Sequence, residues 1–178
     1  MIFGLSPQLV SFSQTSKTPK EVTPAIEKKF KQEIEKGIVK LKQEMKKTQE
    51  TELDMEFTVD TFRIEQYMKK YLDYDYSTAG MRTACYDAAY KYDSLLNKYY
   101  KKLLSALKSE DKKILLNAQK AWIAFRENEI KLIETINKNE YSGGGTFQLL
   151  IDSSSYLYLI RNRAIEIYEY LQRATQDH

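Results

Sequence analysis

The sequence predicts an all-α protein, a bundle of four or five helices with a long antiparallel helix hairpin at its centre. Apolar residues recur every three or four positions along most of the 178-residue chain, which places them on one face of each helix. Only 6 glycines and 3 prolines interrupt this pattern, fewer than a chain of strands and turns would need. Hydrophobic residues form 42% of the chain, so the helices have enough apolar surface to bury a core.

Residues 1–22 are expected to form a flexible N-terminal segment. Its first part, residues 1–13, contains an apolar stretch followed by small residues but no basic residue. Two interpretations stay open for that part: a weak or truncated signal peptide, or an ordinary tail. No run of about 18 apolar residues occurs in the sequence, so it predicts no transmembrane segment.

Residues 23–76 are predicted to form amphipathic helices. Thr23 is a suitable N-cap, and Pro24 fits the first helical position after it. The first helix, within residues 23–50, contains 8 basic and 5 acidic residues. This charge distribution favours a solvated helix face over a nucleic-acid surface.

The second helix lies within residues 51–76, where acidic residues outnumber basic ones. Residues 57–59, Phe-Thr-Val, could instead be briefly extended. The helix is expected to end at residues 73–76, Asp-Tyr-Asp-Tyr. We expect a solvent-facing turn there, and an acidic patch for a basic partner is the alternative.

Residues 77–174 are predicted to contain the central hairpin and a last helix. The first helix of the hairpin begins at Ser77 or Thr78 and continues to about Lys108, since its apolar positions keep nearly heptad spacing. Ser109 is the predicted cap of the second, which has two acidic residues in its first turn. Because only a few residues separate these two helices, they should run antiparallel.

The sequence contains little that supports catalysis or cofactor binding. His178 is the only histidine, which excludes a two-metal site of the ferritin-like kind. Cys85 is the only cysteine and lies on an apolar helix stripe, so a buried core thiol is favoured over a nucleophile. Glu127 and Glu129 lie two positions apart on a helix and point in different directions. We therefore predict a non-enzymatic protein without cofactor or metal; an enzyme would need two facing carboxylates in a pocket.

A cluster of polar residues is expected across the central hairpin. Asp93 and Asn97 lie one turn apart on its first helix, and Gln119, Trp122 and Arg126 share one face of the second. In antiparallel helices these residues can meet, and unpaired polar groups at the interface would cost roughly 1 to 3 kcal/mol each. We predict a structural polar network that fixes the register of the hairpin; a ligand or partner site is the alternative.

The glycine-rich segment, residues 137–145, separates the hairpin from the last helix. Its three consecutive glycines lack the preceding strand and the following Lys-Ser/Thr of a phosphate-binding loop, so a helix terminus and turn are predicted. Thr146 is the predicted cap of the last helix, which continues to about Gln172. Loops on rigid scaffolds commonly bind partners, which makes this turn the candidate binding loop. Its candidate residues are Asn139, Tyr141, Gly143, Gly144 and Gly145.

Two sequence motifs lie on the helices of the hairpin. The first is Cys85 followed by D-x-x-L-N-x-x-Y, at Asp93, Leu96, Asn97 and Tyr100. The second is A-Q-x-x-W-x-x-[YF]-R-[DE], at Ala118, Gln119, Trp122, Phe125, Arg126 and Glu127. With these motifs, the glycine turn and a late arginine at position 161 or 163, the sequence from about Met81 to Leu171 resembles the LprI-like lysozyme-inhibitor family of small bacterial cell-envelope proteins.

The resemblance implies a periplasmic or secreted helical protein that acts by binding another protein, in some members a lysozyme. Family members commonly have a cysteine four residues after the motif arginine and another early in the last helix. Here those positions hold Ile130 and, approximately, Ser154, which is what the loss of one disulfide would look like. Cys85 is then left without a partner.

The expected partner is therefore a protein such as a lysozyme. A net charge of +3 gives no long-range attraction to a basic lysozyme, although the acidic residues 51–80 offer local attraction. The basic excess is also too small for a dedicated nucleic-acid binder. The alternative is a structural or interaction module for another partner, which an apolar face exposed beyond what a monomer buries would favour. The sequence leaves the oligomeric state open.

Overall fold

The structure is a computed structural model that describes residues 18–48 and 50–176. Five long helices and one short helix contain most of these residues. They are α1 (Pro24–Lys47), α2 (Glu52–Tyr74), α3 (Thr78–Ala106), α4 (Ser109–Ile136), α5 (Asn139–Ser142) and α6 (Thr146–Thr175). No strand occurs in these ranges, and the helices pack as a bundle, so the all-α prediction is confirmed. Residues 1–13, interpreted as a signal peptide or a tail, lie outside the described residues.

Each of the first three helices has an N-cap residue whose side chain bonds the helix backbone. Thr23, Thr51 and Ser77 each accept a hydrogen bond from the backbone N–H three residues later. These bonds satisfy N–H groups that have no partner within the helix. The prediction of Thr23 as a cap followed by Pro24 is confirmed.

The predicted caps of the later helices are wrong by one residue. Ser109 and Thr146 are already the first helical residues, and the cap positions are held by Lys108 and Gly145. Neither cap makes a side-chain hydrogen bond to its helix, because neither residue has an oxygen acceptor to offer. The extended alternative for residues 57–59 is also wrong, since they lie inside α2.

α3 and α4 form the predicted hairpin, although the two helices pack only weakly on each other. α3 and α4 are separated by two residues, and Leu103 and Leu115 on either side of the turn share the hydrophobic core. Farther from the turn, Arg126 of α4 reaches Asp93 of α3, as two antiparallel helices require. The predicted antiparallel arrangement is therefore confirmed.

The most extensive packing, however, joins α3 to α6, the two helices that α4 connects. Tyr92 contacts Arg161 and Tyr99 contacts Tyr168, so the contacts advance together along both helices and the pair is parallel. Both helices bury several small residues, which leave room for their backbones to approach each other. These are Ala84, Cys85, Ala88 and Ala89 on α3, and Ser153 and Ala164 on α6.

An aromatic cluster joins α2 to this pair. Tyr99 is fully buried, with the ring of Phe57 from α2 at 5.1 Å and the ring of Tyr168 from α6 at 5.7 Å, both edge-on. Burial raises the pKa of Tyr99 far above its usual value, so the phenol stays neutral. Ile64 of α2 belongs to the same buried cluster, and α2, α3, α4 and α6 therefore share one core.

The connector between α2 and α3 differs from the prediction at Asp75. This residue is 3% exposed, so at this position there is neither a solvent-facing turn nor an acidic patch. Its carboxylate accepts hydrogen bonds from the backbone N–H of Ser77 at 2.9 Å and of Lys20 at 3.2 Å. Asp75 is buried because it provides acceptors for backbone groups that would otherwise have none.

Candidate binding site

The polar residues predicted across the hairpin lie together. Asn97 donates hydrogen bonds from Nδ2 to the backbone carbonyl and to Oδ2 of Asp93, at 2.9 and 3.2 Å. Nη1 of Arg126 lies 3.9 Å from Oδ1 of Asp93, a long ion pair. The Asp93 side chain is 41% exposed, so this pair is expected to contribute about 1 kcal/mol or less to stability.

Gln119 and Trp122 join this group through Arg163 of α6. Nε of Arg163 donates a hydrogen bond to Oε1 of Gln119 at 3.1 Å, and its Nη1 lies 3.1 Å from Glu166. The guanidinium groups of Arg126 and Arg163 lie 5.3 and 5.7 Å from the Trp122 ring, within the range of cation–π attraction. The cluster therefore links α4 to α6 as well as to α3.

Arg163 is a central residue of this cluster, although the sequence alone did not place it there. The sequence pointed to Arg161 or Arg163 as a late arginine of the motif set, and the structure separates their roles. Arg161 donates hydrogen bonds to Tyr92 and Glu65, on the side of the bundle formed by α2. Arg163 is buried between turns that bury Ile160 and Ile167. A charged residue at helical spacing within an apolar stripe was the signal that could have identified it.

The predicted binding loop forms the turn between α4 and α6. Asn139 begins the short helix α5, and Tyr141 on the same helix is exposed. Gly143, Gly144 and Gly145 all have positive φ, at 78°, 68° and 99°. A Cβ at Gly144 would lie 2.7 Å from Oδ1 of Asn139, so both space and backbone conformation require glycine there. The glycines thus give the turn a defined shape.

Large apolar side chains are exposed around this turn. We name them the turn surface: Leu132 and Ile136 on α4, Tyr141 on α5, and Phe147 and Leu149 on α6. Each is more than two-fifths exposed, and Tyr141 reaches 63%. Phe147 and Leu149 lie two positions apart on α6 and point in different directions, so a partner at this turn would meet apolar side chains on more than one side of α6.

A shallow groove lies next to the turn surface, with a volume of about 200 Å³. It is lined by Tyr86, Ile130, Ile133, Glu134, Asp152 and Tyr156. Asp152 accepts a hydrogen bond from Asn137 at 2.6 Å, whereas Glu134 forms no ion pair within the described part of the chain. Apolar walls beside two carboxylates suit the aliphatic stem and cationic head of a lysine or arginine from a partner.

The residues that the structure describes contain no group of three or more His, Cys, Asp and Glu side chains suited to a metal ion. Cys85 is 5% exposed beside Ser153, and burial raises the pKa of its thiol, which makes it a poor nucleophile. No helix in the described ranges is long and apolar enough to cross a membrane.

Comparison with known proteins supports the motif assignment. A family model described as "Lysozyme inhibitor LprI" matches residues 72–167, just over half of the chain. The matched segment begins near the end of α2 and continues into α6, so it includes the polar network and the glycine turn. No curated protein and no solved structure shows a significant match to the chain.

Proposed function

The chain belongs to the LprI lysozyme-inhibitor family, and we propose that it acts without catalysis by binding a lysozyme through the turn surface and the adjacent groove. Family membership also supports a periplasmic or secreted location. The main structural support is the exposed turn surface, because five large apolar side chains there remain more than two-fifths exposed. Its position between two long helices gives a partner a preformed surface.

Local charge supports a basic target at this site. Glu134 and Asp152 place two carboxylates in the groove, although the chain as a whole has a net charge of +3. A carboxylate that meets a lysine or arginine of a lysozyme forms a charge-assisted hydrogen bond. The groove therefore provides the local attraction that the net charge does not.

The polar network has a structural role in this proposal. Gln119, Trp122 and Arg126 attach α4 to α6 and α3, while Asp93 and Asn97 complete the group on α3. A network that fixes α4 also fixes the turn at its end. Such preorganisation lowers the entropic cost of binding.

The first experiment is titration calorimetry of the full chain against a panel of lysozymes, together with a cell-wall lysis assay. The test variant is Ile136→Ser combined with Tyr141→Ser, which removes two side chains of the turn surface. Loss of an interface anchor of this kind typically costs 2 kcal/mol or more, so we expect affinity to fall by about 30-fold or more. Glu134→Gln should weaken binding further and reduce its dependence on salt.

The matched control is Ile114→Ser, which removes an exposed isoleucine at the opposite end of α4. We expect this variant to bind a lysozyme as tightly as the parent. An equal loss of affinity in the control would contradict the assignment to the turn surface. Absence of binding to every lysozyme in the panel would contradict lysozyme inhibition itself.

A second candidate function is an interaction module for another partner, and the outer side of α4 favours it. Ile114, Ala118, Ala121, Phe125 and Leu132 are all exposed and follow each other at steps of three, four and seven residues. This spacing forms one apolar stripe along the helix, as in a coiled-coil seam. A partner whose binding depends on Ile114 rather than on Ile136 would support this function instead.

A further inference from the structure

α1 is an outer helix of the bundle. It packs mainly against α2, which in turn packs against α3, whereas α4 packs on α6. Its apolar residues Phe30, Ile34, Ile38 and Met45 are buried. Its opposite face is therefore free to contact solvent or another surface.

The acidic and the basic residues of α1 differ in their partners. The helix contains eight lysines and four glutamates, a net charge of +4, while the whole chain has a net charge of +3. Glu33 and Glu35 form ion pairs with residues of α2, namely Lys70 and Arg63. The other two glutamates pair within the helix, in Glu27–Lys31 and Glu44–Lys47. All four acidic side chains of α1 are thus already neutralised.

Six lysines of α1 are left exposed without an ion pair in the described part of the chain. We name them the lysine face: Lys28, Lys29, Lys36, Lys40, Lys42 and Lys46. At 100° per residue they form two rows of three along the helix, on either side of a midline. The midline residues Gln32, Val39 and Gln43 are exposed and uncharged. From Lys28 to Lys46 the face is about 27 Å long at 1.5 Å per residue.

We propose that the lysine face lies flat on an anionic lipid bilayer and holds the protein there by electrostatic attraction. Two rows of flexible lysines beside an uncharged midline can reach the phosphates of a plane on both sides of the helix at once. Val39 is the one large apolar side chain on this face, so binding is peripheral and does not require insertion into the acyl chains.

The same charge distribution determines the orientation on the bilayer. Since α1 holds a net +4 and the chain as a whole +3, the remaining residues add no net attraction to an anionic surface. α1 therefore faces the lipid. The turn surface is formed by α4, α5 and α6, whereas α1 packs mainly against α2, so the two proposed surfaces lie on different helices.

The test is flotation of the full chain with phosphatidylcholine vesicles that contain either no phosphatidylglycerol or about 30%, at about 50 and 300 mM NaCl. We expect binding to the anionic vesicles at low salt, loss of that binding at high salt, and little binding to neutral vesicles. The variant Lys29→Gln/Lys36→Gln/Lys40→Gln should lower the partition coefficient by at least about tenfold, because each lysine near an anionic bilayer adds to the free energy of binding to that bilayer. None of these three forms an ion pair in the described part of the chain, and Lys29 and Lys36 act on the exposed Glu33 only at longer range, so thermal stability should change little.

The matched control is Lys113→Gln/Lys120→Gln/Lys131→Gln, which removes the same charge from exposed positions on α4. This variant should bind anionic vesicles as the parent does. Equal loss in both triple variants, equal binding to neutral vesicles, or no binding at low salt would each overturn the proposal. Binding to soluble polyphosphate without binding to vesicles would assign the face to a linear polyanion and overturn it as well. The α1 variant should retain lysozyme affinity, which keeps this test separate from that of the turn surface.

Discussion

Nε of Arg163 on α6 donates a hydrogen bond to Oε1 of Gln119 on α4 at 3.1 Å. Because this bond is partly buried, its loss is expected to lower the stability of the fold. Arg163 is 8% exposed and contacts Trp122 and Glu166 as well, whereas Arg126 on α4 is 21% exposed and makes one long ion pair. The two arginines beside the same indole are therefore expected to differ in their energetic contributions.

Arg163→Ala should lower the free energy of unfolding by about 2 to 3 kcal/mol, because it leaves Gln119 without its partner at a nearly buried site. Either substitution removes a cation near Trp122, so that contact does not distinguish them. Arg126→Ala should cost about 1 kcal/mol or less, since its ion pair is partly solvated. Urea unfolding at pH 7 measures both values. A larger loss for Arg126→Ala, with Arg163→Ala close to the parent, would contradict this ranking of the network.

Gly80→Ala should be strongly destabilising because of a close approach to Asp75. A Cβ at position 80 would lie 2.2 Å from Cγ of Asp75, so this buried carboxylate would have to move. Its hydrogen bonds to the N–H groups of Ser77 and Lys20 would then be lost, at a cost of about 1 to 3 kcal/mol for each unsatisfied group.

Gly37→Ala is the matched control for this substitution. Gly37 also lies within a helix, but a Cβ there meets only the ring of Phe62, at 3.1 Å. The gain in helix propensity, about 1 kcal/mol, should offset the small shift of that ring. Thermal melts of the two variants should therefore differ clearly, and similar melting temperatures would show that the Asp75 contact is unimportant.

The stability of the folded protein is predicted to fall at low pH because Asp54 becomes protonated. Its carboxylate accepts hydrogen bonds from Tyr168 and Gln172 of α6, and the bond from Tyr168 lowers the pKa of Asp54 below its usual range. A carboxylate with a lower pKa in the folded state adds stability above its unfolded pKa of about 3.9, and this stability is lost as pH falls through the folded value. Asp54→Ala should thus be about 1 to 2 kcal/mol less stable than the parent at pH 7.

The difference between the parent and Asp54→Ala should shrink as pH falls below about 4, because protonation removes the charged acceptor from the parent. Urea midpoints at pH 7, 5 and 3 measure it. Glu52→Ala, which removes an exposed carboxylate from the same first turn of α2, should show a small and nearly constant difference. A constant difference for Asp54→Ala across this range would contradict the linkage.

Ser153→Cys should introduce a disulfide with Cys85. Ser153 of α6 lies beside Cys85 of α3, and both residues are buried. A bridge between these positions would close a loop of nearly 70 residues and add up to about 4 kcal/mol to stability. Thiol titration of the oxidised, denatured protein should find no free thiol.

Ser154→Cys is the control for the disulfide. Ser154 is exposed, whereas Ser153 is buried, so a cysteine at position 154 points away from the buried Cys85. Two thiols should remain titratable in that variant after the same oxidation. Two free thiols in Ser153→Cys as well would mean that the two side chains do not meet the geometry a disulfide needs.

The helices themselves were predictable from the sequence because helix formation is largely local. The cap at Thr23, the stop at the glycines and the apolar spacing of three and four residues depend on neighbours within a turn or two. The meeting of Arg126 with Asp93 was predictable for a related reason, since a two-residue connection between α3 and α4 leaves little choice but an antiparallel hairpin.

Only the tertiary structure decided which helix faces meet. The parallel pairing of α3 with α6, the burial of Arg163 and Asp75, and the neutralisation of Glu33 and Glu35 by α2 all depend on contacts between residues far apart in the sequence. Periodicity shows that a face is apolar or charged but does not name its neighbour. That neighbour is chosen by the close packing of small side chains and by the requirement that buried polar groups find partners.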